Sequence, residues 1–282
     1  MKIGAIIQAR TSSTRLPEKV LKNLPFDSDI TVLEQVIHRL KRSKILDEII
    51  IATTTDENDE KIINIAEKEE IPWFRGSKYN VLKRYYLAAK ENELDIIIRI
   101  TSDCPCVDPE IVDLIIENHL TVNADYTSNS LVRTFPHGLD MEVITFKSLQ
   151  KAYFEATTDF EREHVTPFIY RTNPQLFKIN SFMAEKELKH PDIRITLDTE
   201  EDYALLCSVF DYLYYNDPFF NSKDIIILFN QKPWLKIINK KIVQKKIFDT
   251  VEEEIIEAKK ILDLQELKRA KEILNDYQSV KK

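Results

Sequence analysis

The sequence predicts an α/β protein built on a mainly parallel sheet, and three observations carry the prediction. Short isoleucine-rich runs alternate with segments of helical period. The intervals between the runs suit right-handed crossovers, and the chemically loaded loops fall where the runs stop.

The runs KIGAIIQ (2–8), EIIIATT (48–54) and LDIIIRIT (94–101) have apolar centres and polar flanks, the pattern of buried strands. Between them, 31–44, 56–70 and 79–92 read as helices, and another follows the 103–109 loop over about 109–121. LDMEVITF (139–146), QLFKINSF (175–182) and DIRITLD (192–198) read as further strands, the last leading into a helix over 200–216. No repeat of solenoid length is present.

Beyond about residue 230 the character changes. WLKIINKKIVQKKI (234–247) alternates like a strand, with lysines suited to a protected edge or an arm. VEEEIIEAKKILDLQELKRAKEIL (251–274) reads as one long amphipathic helix, with Ile255, Ala258, Leu262 and Leu274 near one face. It either caps the main domain or serves as an oligomer arm. The expected division is a domain over 1–230 and an extension over 231–282.

Composition narrows the function. With 282 residues, the chain is long enough for one sizeable core. Forty Lys+Arg against 47 Asp+Glu leave a net charge of −7, which argues against bulk nucleic-acid binding. No apolar run approaches the roughly 18 residues of a membrane helix. The opening MKIGAIIQAR is broken by Arg10 and is too short for a signal peptide. Three cysteines (Cys104, Cys106, Cys207) cannot form a disulfide framework and suit a reducing cytoplasm. Only 3 glycines occur, where average usage gives roughly 20. Gly4, Gly76 and Gly138 therefore mark either places that exclude a Cβ or chance retention in loops.

In an open α/β sheet, ligands bind beyond the carboxyl ends of the strands. Four segments lie at such ends. Gln8 to Lys19 puts three cations (Arg10, Arg15, Lys19) and four hydroxyl residues into one loop. That loop is either a phosphate cradle or a solvated polar turn, and it lacks the glycines of a Walker or Rossmann motif. In the second segment, Asp103 leaves a run whose only charge near its end is Arg99. In the third, Asp198 opens Asp198-Thr199-Glu200 after another run. Mg²⁺ takes one or two carboxylates and fills its shell with water and phosphate, so Asp103 and Asp198 are the natural pair. Asp198 also suits a helix start, and it could do both. Cys104 and Cys106 have no second cysteine pair and read as buried thiols. The fourth segment, FRGSKYNVLKR (74–84), joins a short strand to a helix at Arg75, Gly76 and Ser77, where a backbone could approach a base.

These residues carry a resemblance. IIQARTSSTRLPEKVL (6–21) looks like the N-terminal signature of the CMP-sugar synthetases, with Gln8 where 3-deoxy-manno-octulosonate cytidylyltransferases have proline and Glu18 where they have glycine. The spore-coat polysaccharide cytidylyltransferases of the SpsF type are more similar. They share the IIQAR form, Arg75 to Tyr86, Arg99 to Pro109, Gly138 to Val143 and Glu161 to Tyr170, in the same order across roughly 1–245. Departures are Ser102, commonly glycine, and Asn80, often acidic.

The resemblance implies a three-layer α/β/α, Rossmann-related, GT-A-like nucleotidyltransferase fold. It implies transfer of CMP from CTP to an acidic sugar, an ulosonic or nonulosonic acid, with release of pyrophosphate in surface polysaccharide or glycan synthesis. Arg10, Ser13, Arg15 and Lys19 would meet the triphosphate, Asp103 and Asp198 Mg²⁺, and Ala9, Arg75, Gly76 and Ser77 the cytidine. Arg10, Lys19, Asp103 and Asp198 would be catalytic. His137, Asp140, Glu142, Arg162 and His164 are the acceptor candidates, with Arg162 and His164 able to hold a carboxylate. Those two alternatively belong to a helix start facing water or a dimer partner. A phosphorylated or phosphonate acceptor would use the same cations. A GT-A glycosyltransferase is a competing reading, although Asp103 and Asp108 lack D-x-D spacing. So is a catalytically silent assembly protein. The implied assembly is a homodimer built on 139–183, with the 251–274 helix as a possible second contact.

Overall fold

The computed structural model describes residues 1–242 and 250–280. Seven strands, β1 (Ile3–Gln8), β2 (Glu48–Thr54), β3 (Trp73–Gly76), β4 (Ile96–Thr101), β5 (Tyr126–Ser128), β6 (Glu142–Thr145) and β7 (Ile179–Ser181), form one sheet in the order β3-β2-β1-β4-β6-β5-β7. The pairs β1–β2, β1–β4, β2–β3 and β5–β7 are parallel, while β6 runs antiparallel to both β4 and β5. Helices α1 (Val32–Leu40), α2 (Glu60–Lys68), α3 (Val81–Glu91) and α4 (Pro109–Val122) follow the first four strands. Then come α5 (Phe146–Glu155), α6 (Asp159–His164), α7 (Glu200–Leu213), α8 (Ser222–Gln231) and α9 (Leu235–Ile238). A second compact unit begins at Ile242, after the first has run Met1–Lys241, and contains α10 (Val251–Leu264) and α11 (Lys268–Val280).

The continuous apolar runs are strands because both faces of the sheet are covered. Along β1, Ile3, Ala5 and Ile7 join one buried cluster and Ile6 the other. Ile49 and Ile51 split from Ile50 in the same way, and Ile96, Ile98 and Ile100 from Ile97. Local caps set the helix starts. Thr31 and Glu34 form a capping box. Asp108 caps α4 through one oxygen and accepts from Ser222 N and Oγ at 2.8 and 2.6 Å through the other, tying the starts of α4 and α8 together.

Several expected elements differ. DIRITLD is no strand. It is extended and Ile193, Ile195 and Leu197 are buried, but its one bridge is Arg194 to His137. Its backbone pairs with loops instead: His137 N donates to Ile193 O (2.8 Å), Ile195 N to His137 O (2.7 Å) and Leu197 N to Asp103 O (2.8 Å). Only Glu142–Thr145 of 139–146 and Ile179–Ser181 of 175–182 are strand. Leu235–Ile238 is a helical turn rather than a strand, and the rest of that run from residue 243 lies outside the described residues. The long helix over 251–274 is broken between α10 and α11, where Glu266 sits at φ 55°. β5, α5 and α8 were not expected from the pattern, whereas α6 is the helix start that was the alternative reading of Arg162 and His164.

Glutamate and asparagine stand where glycine commonly ends a helix. Glu70, Glu93, Asn123 and Glu266 follow α2, α3, α4 and α10 with φ between 50° and 55°. Glu18, at φ 54°, occupies the position where the resembling synthetases carry glycine.

Candidate active site

β1 and β4 lie side by side, with Gln8 paired to Thr101, so the loop after Gln8 and the loop bearing Asp103 leave the sheet together. Buried Asp59 anchors the first loop. Its Oδ1 accepts from Thr11 N and Oγ1 at 2.8 and 2.7 Å, and its Oδ2 from Thr54 Oγ1. Burial opposes the Asp59 charge, but these hydrogen bonds outweigh it and hold the carboxyl below its usual range. Ser13 N and Glu18 N both donate to Thr11 O at 2.9 Å, which folds the loop back and delivers Lys19 to the cleft.

Lys19 stands between the two expected metal carboxylates. Its Nζ donates to Asp103 Oδ2 (2.7 Å), Leu197 O (2.8 Å) and Asp198 Oδ1 (2.9 Å), using all three of its N–H groups. Burial disfavours this ammonium, yet Asp103 and Asp198 prevail and raise its pKa. Asp198 is also met by Arg15 Nη2 at 2.9 Å and Arg194 Nη2 at 3.0 Å. Burial works against its charge too, but Lys19, Arg15 and Arg194 bring its pKa down to about 2. Thr199, not Asp198, caps α7, so the Asp198 carboxylate is left to the cleft. Arg194 is braced from behind by Asp202 at 2.9 and 2.8 Å, and Asn239 holds Asp202 at 2.9 Å.

Asp103 and Asp198 also line a cavity of about 260 Å³ together with Arg99, Arg133, His137, Asp140 and Glu142. Arg99 faces Glu142 across the β4–β6 pair at 3.3 Å and reaches Gln8 Oε1 at 3.2 Å. Arg133 grips Asp140 with both terminal guanidinium nitrogens, at 2.8 and 3.2 Å. His137 bridges Asp140 (Nε2, 3.4 Å) and Arg194 (Nδ1, 3.1 Å). Burial lowers the His137 pKa; Asp140 opposes the fall, and Arg133 and Arg194 add to it. Thr166 Oγ1 donates to Glu142 at 3.3 Å from just after Val165, a β-branched residue held at φ 73°.

Not every expected residue converges here. Arg10 is exposed at the loop, and Ala9 is buried with its N–H on Ala52 O at 3.2 Å. Ser13 Oγ accepts from Leu16 N at 3.5 Å. Arg75 donates to Thr54 O (3.0 Å), Asp56 O (2.9 Å) and Glu60 (3.0 Å), and Ser77 Oγ accepts from Asn80 N (3.0 Å). The 75–77 segment is thus a hydrogen-bonded joint, in which a Cβ on Gly76 would press Phe74 and Arg84 at 3.0–3.3 Å. Neither Arg162 nor His164 lines the cavity. Arg162 donates to Ala156 O at 3.3 Å, and the His164 ring lies 4.8 Å from that of Phe160. Cys104 and Cys106 are free and buried, and burial pushes the Cys106 thiol up to about 12.

Sequence reasoning missed Arg133, Arg194, Asp202 and Asp59, and gave Arg99 no role. One signal was available. IRITSD (98–103) and IRITLD (193–198) repeat the same frame, so Arg99 and Arg194 each precede a cleft aspartate by four residues.

Among the described residues no three His, Cys, Asp or Glu side chains are grouped to hold a metal by themselves. Two carboxylates converging on one cation, here the Lys19 ammonium within 2.9 Å of both, do fit an Mg²⁺ that draws its other ligands from water and phosphate.

The sequence matches the cytidylyltransferase family over residues 4–225. It is 40% identical over 248 residues to an uncharacterized protein of Methanocaldococcus jannaschii, covering 87% of this chain and 97% of the relative. It is 34% identical over 233 residues to the spore coat polysaccharide biosynthesis protein SpsF of Bacillus subtilis, covering 81% of this chain and 94% of the relative. The solved structure of a cytidylyltransferase from Leptospira borgpetersenii superposes with a TM-score of 0.78 at 34% identity, over 87% of this chain and 100% of that one.

Proposed function

The chain belongs to the cytidylyltransferase family, whose members are CTP-dependent nucleotidyltransferases, and on that premise we propose that it transfers CMP to a hydroxyl of an acidic sugar. The acceptor oxygen bonds to the α-phosphorus of CTP as its proton passes to water, the bond to the β-phosphate oxygen breaks, and pyrophosphate leaves. The observation that carries this reading is the meeting of Lys19, Arg15, Asp103 and Asp198 at one edge of the arginine-lined cavity. Such a displacement needs alignment and charge neutralisation more than covalent catalysis.

In this reading Arg10, Arg15 and Lys19 neutralise the triphosphate, and Asp103 and Asp198 hold Mg²⁺. When bound, the ion supplies polarisation of the phosphate and a lower pKa for the attacking hydroxyl. Ala9 and the 75–77 joint border the cytidine. Arg133 and Arg99 take the acceptor's carboxylate, a role the sequence had suggested for Arg162 and His164, because the cavity is lined by the first pair and not the second. Asp140, Glu142 and His137 keep these arginines aligned and accept from sugar hydroxyls.

The reaction belongs in the cytoplasm, in keeping with free cysteines; no helix among the described residues is long and apolar enough to cross a membrane. A homodimer over 139–183 is supported by exposed Phe154 and Leu176 in that stretch. The decisive experiment measures pyrophosphate release with CTP, UTP, ATP and GTP against a panel of acidic, neutral and phosphorylated sugars. Release confined to CTP with an acidic sugar is expected. Release with only neutral or phosphorylated sugars overturns the acceptor assignment.

A further inference from the structure

We propose that Lys19 occupies the divalent-cation position of the free enzyme and gives it up only when a triphosphate offers the ammonium new partners, so that metal enters with nucleotide and not before it. The proposal rests on reading Asp103 and Asp198 as the metal carboxylates.

Three features of the cleft support it. Lys19 has no donor left for phosphate: its three N–H groups are taken by Asp103 Oδ2, Leu197 O and Asp198 Oδ1. To meet a triphosphate it must leave at least one of them. The oxygens it holds at 2.7 and 2.9 Å are also the inward donors of the pair, and Mg²⁺ would take them at about 2.1 Å. Ammonium and metal therefore exclude each other at that point.

Charge counts the same way. Arg15, Lys19 and Arg194 face Asp103, Asp198 and Asp202, three cations against three carboxylates, and the group is balanced as it stands. A divalent ion arriving alone would add uncompensated positive charge in a partly buried cleft. A triphosphate arriving with it supplies negative charge both for the ion and for the displaced ammonium. The protein side of the metal site is also incomplete, since two carboxylates are all that the described residues offer. Lys19 thus has a positioning role in addition to neutralising phosphate: it keeps two mutually repelling carboxylates together until substrate comes.

The test is binding of Mn²⁺ alone, without nucleotide, followed by electron paramagnetic resonance of the free ion on the full chain. Wild type should bind weakly. Lys19→Met should tighten binding by about tenfold or more, the scale of removing a unit charge a few ångströms from a divalent ion. Adding Asp103→Asn to Lys19→Met should erase the gain. Lys19→Gln, whose amide keeps a donor for the carboxylates, is measured alongside in case Lys19→Met does not fold, and it should show the same tightening. Micromolar binding of Mn²⁺ alone by wild type overturns the proposal, with no variant required. So does a folded Lys19→Met or Lys19→Gln that binds no tighter. Metal-dependent turnover retained by Asp103→Asn would instead remove the underlying reading of the carboxylates, so the two failures are told apart.

Discussion

Gly138 lies so close to the backbone of Ile195 that a Cβ built on it would stand 2.7 Å from the Ile195 carbonyl carbon and oxygen, and its φ of 114° is one that L-residues rarely adopt. This contact joins the loop carrying His137 and Asp140 to the extended segment carrying Arg194 and Asp198. The two halves of the cleft are therefore held in register by close backbone packing as well as by the Arg194–His137 side-chain contact. The other glycines are under less constraint. The nearest neighbours of a Cβ on Gly4 are side-chain atoms of Leu94, at 2.6–3.2 Å, not backbone.

Gly138→Ala is expected to destabilise the protein by about 1–3 kcal/mol, the scale of a strained backbone residue, and to lower turnover through the displaced 193–198 segment. Denaturant unfolding and steady-state rates check it. A variant with unchanged stability and turnover would contradict the close contact.

Asp103→Asn and Asp198→Asn should each lower turnover more than about 100-fold, since even residues behind a metal's ligands cost 10–100-fold when changed. Asparagine keeps the shape and removes the charge. Near-normal Mg²⁺-dependent turnover in either variant would remove that residue from the metal assignment.

Arg133→Gln should raise the acceptor KM by about tenfold to a hundredfold, the range for a hydrogen bond to a charged group, with the CTP KM unchanged. Arg162→Gln, outside the cavity lining, should leave both near wild type. The opposite pattern would return the carboxylate to Arg162.

Stability should fall with pH through His119. This buried histidine on α4 meets Thr127 Oγ1 at 2.9 Å through Nδ1, and its Nε2 has no partner; burial depresses its pKa to about 4, against the pull of Asp125. The folded state then resists a proton that the unfolded state takes up near pH 6.5. The contribution is complete above that value and drains away as pH drops towards 4. The loss amounts to about 2 kcal/mol by pH 5. Urea unfolding at several pH values should show a smaller loss of stability between pH 6.5 and 5 in His119→Gln than in wild type, and an equal loss would contradict the assignment.

Light scattering should give a dimer for the full chain and for a chain ending at residue 248, if the interface is confined to 139–183. A monomeric full chain at micromolar concentration would contradict the proposed assembly.

Much of this molecule follows from local pattern. Both-face burial makes β1, β2 and β4 continuous apolar runs, and the 3.6-residue period marks α1 to α4 and α7, because such elements depend on neighbours a few residues away. Asp103 and the loop that carries Lys19 were recognisable beyond strand ends for the same reason. The three-residue strand β5 is too short to show a period, and although β6 was legible as a strand, its antiparallel insertion beside β4 depends on pairing across more than forty residues. The segment 192–198 alternates like a strand, but it found loop backbone instead of a sheet edge, which no alternation can reveal. The cleft itself was decided by tertiary structure. Lys19 meets Asp198 across 179 residues of sequence, and Arg194 meets His137 across 57. The sequence by itself determined which charged groups the chain carries to the ends of its strands. Only chain closure decided which of them neutralise one another, because Coulomb attraction at 3 Å depends on distance in space and not on position along the chain.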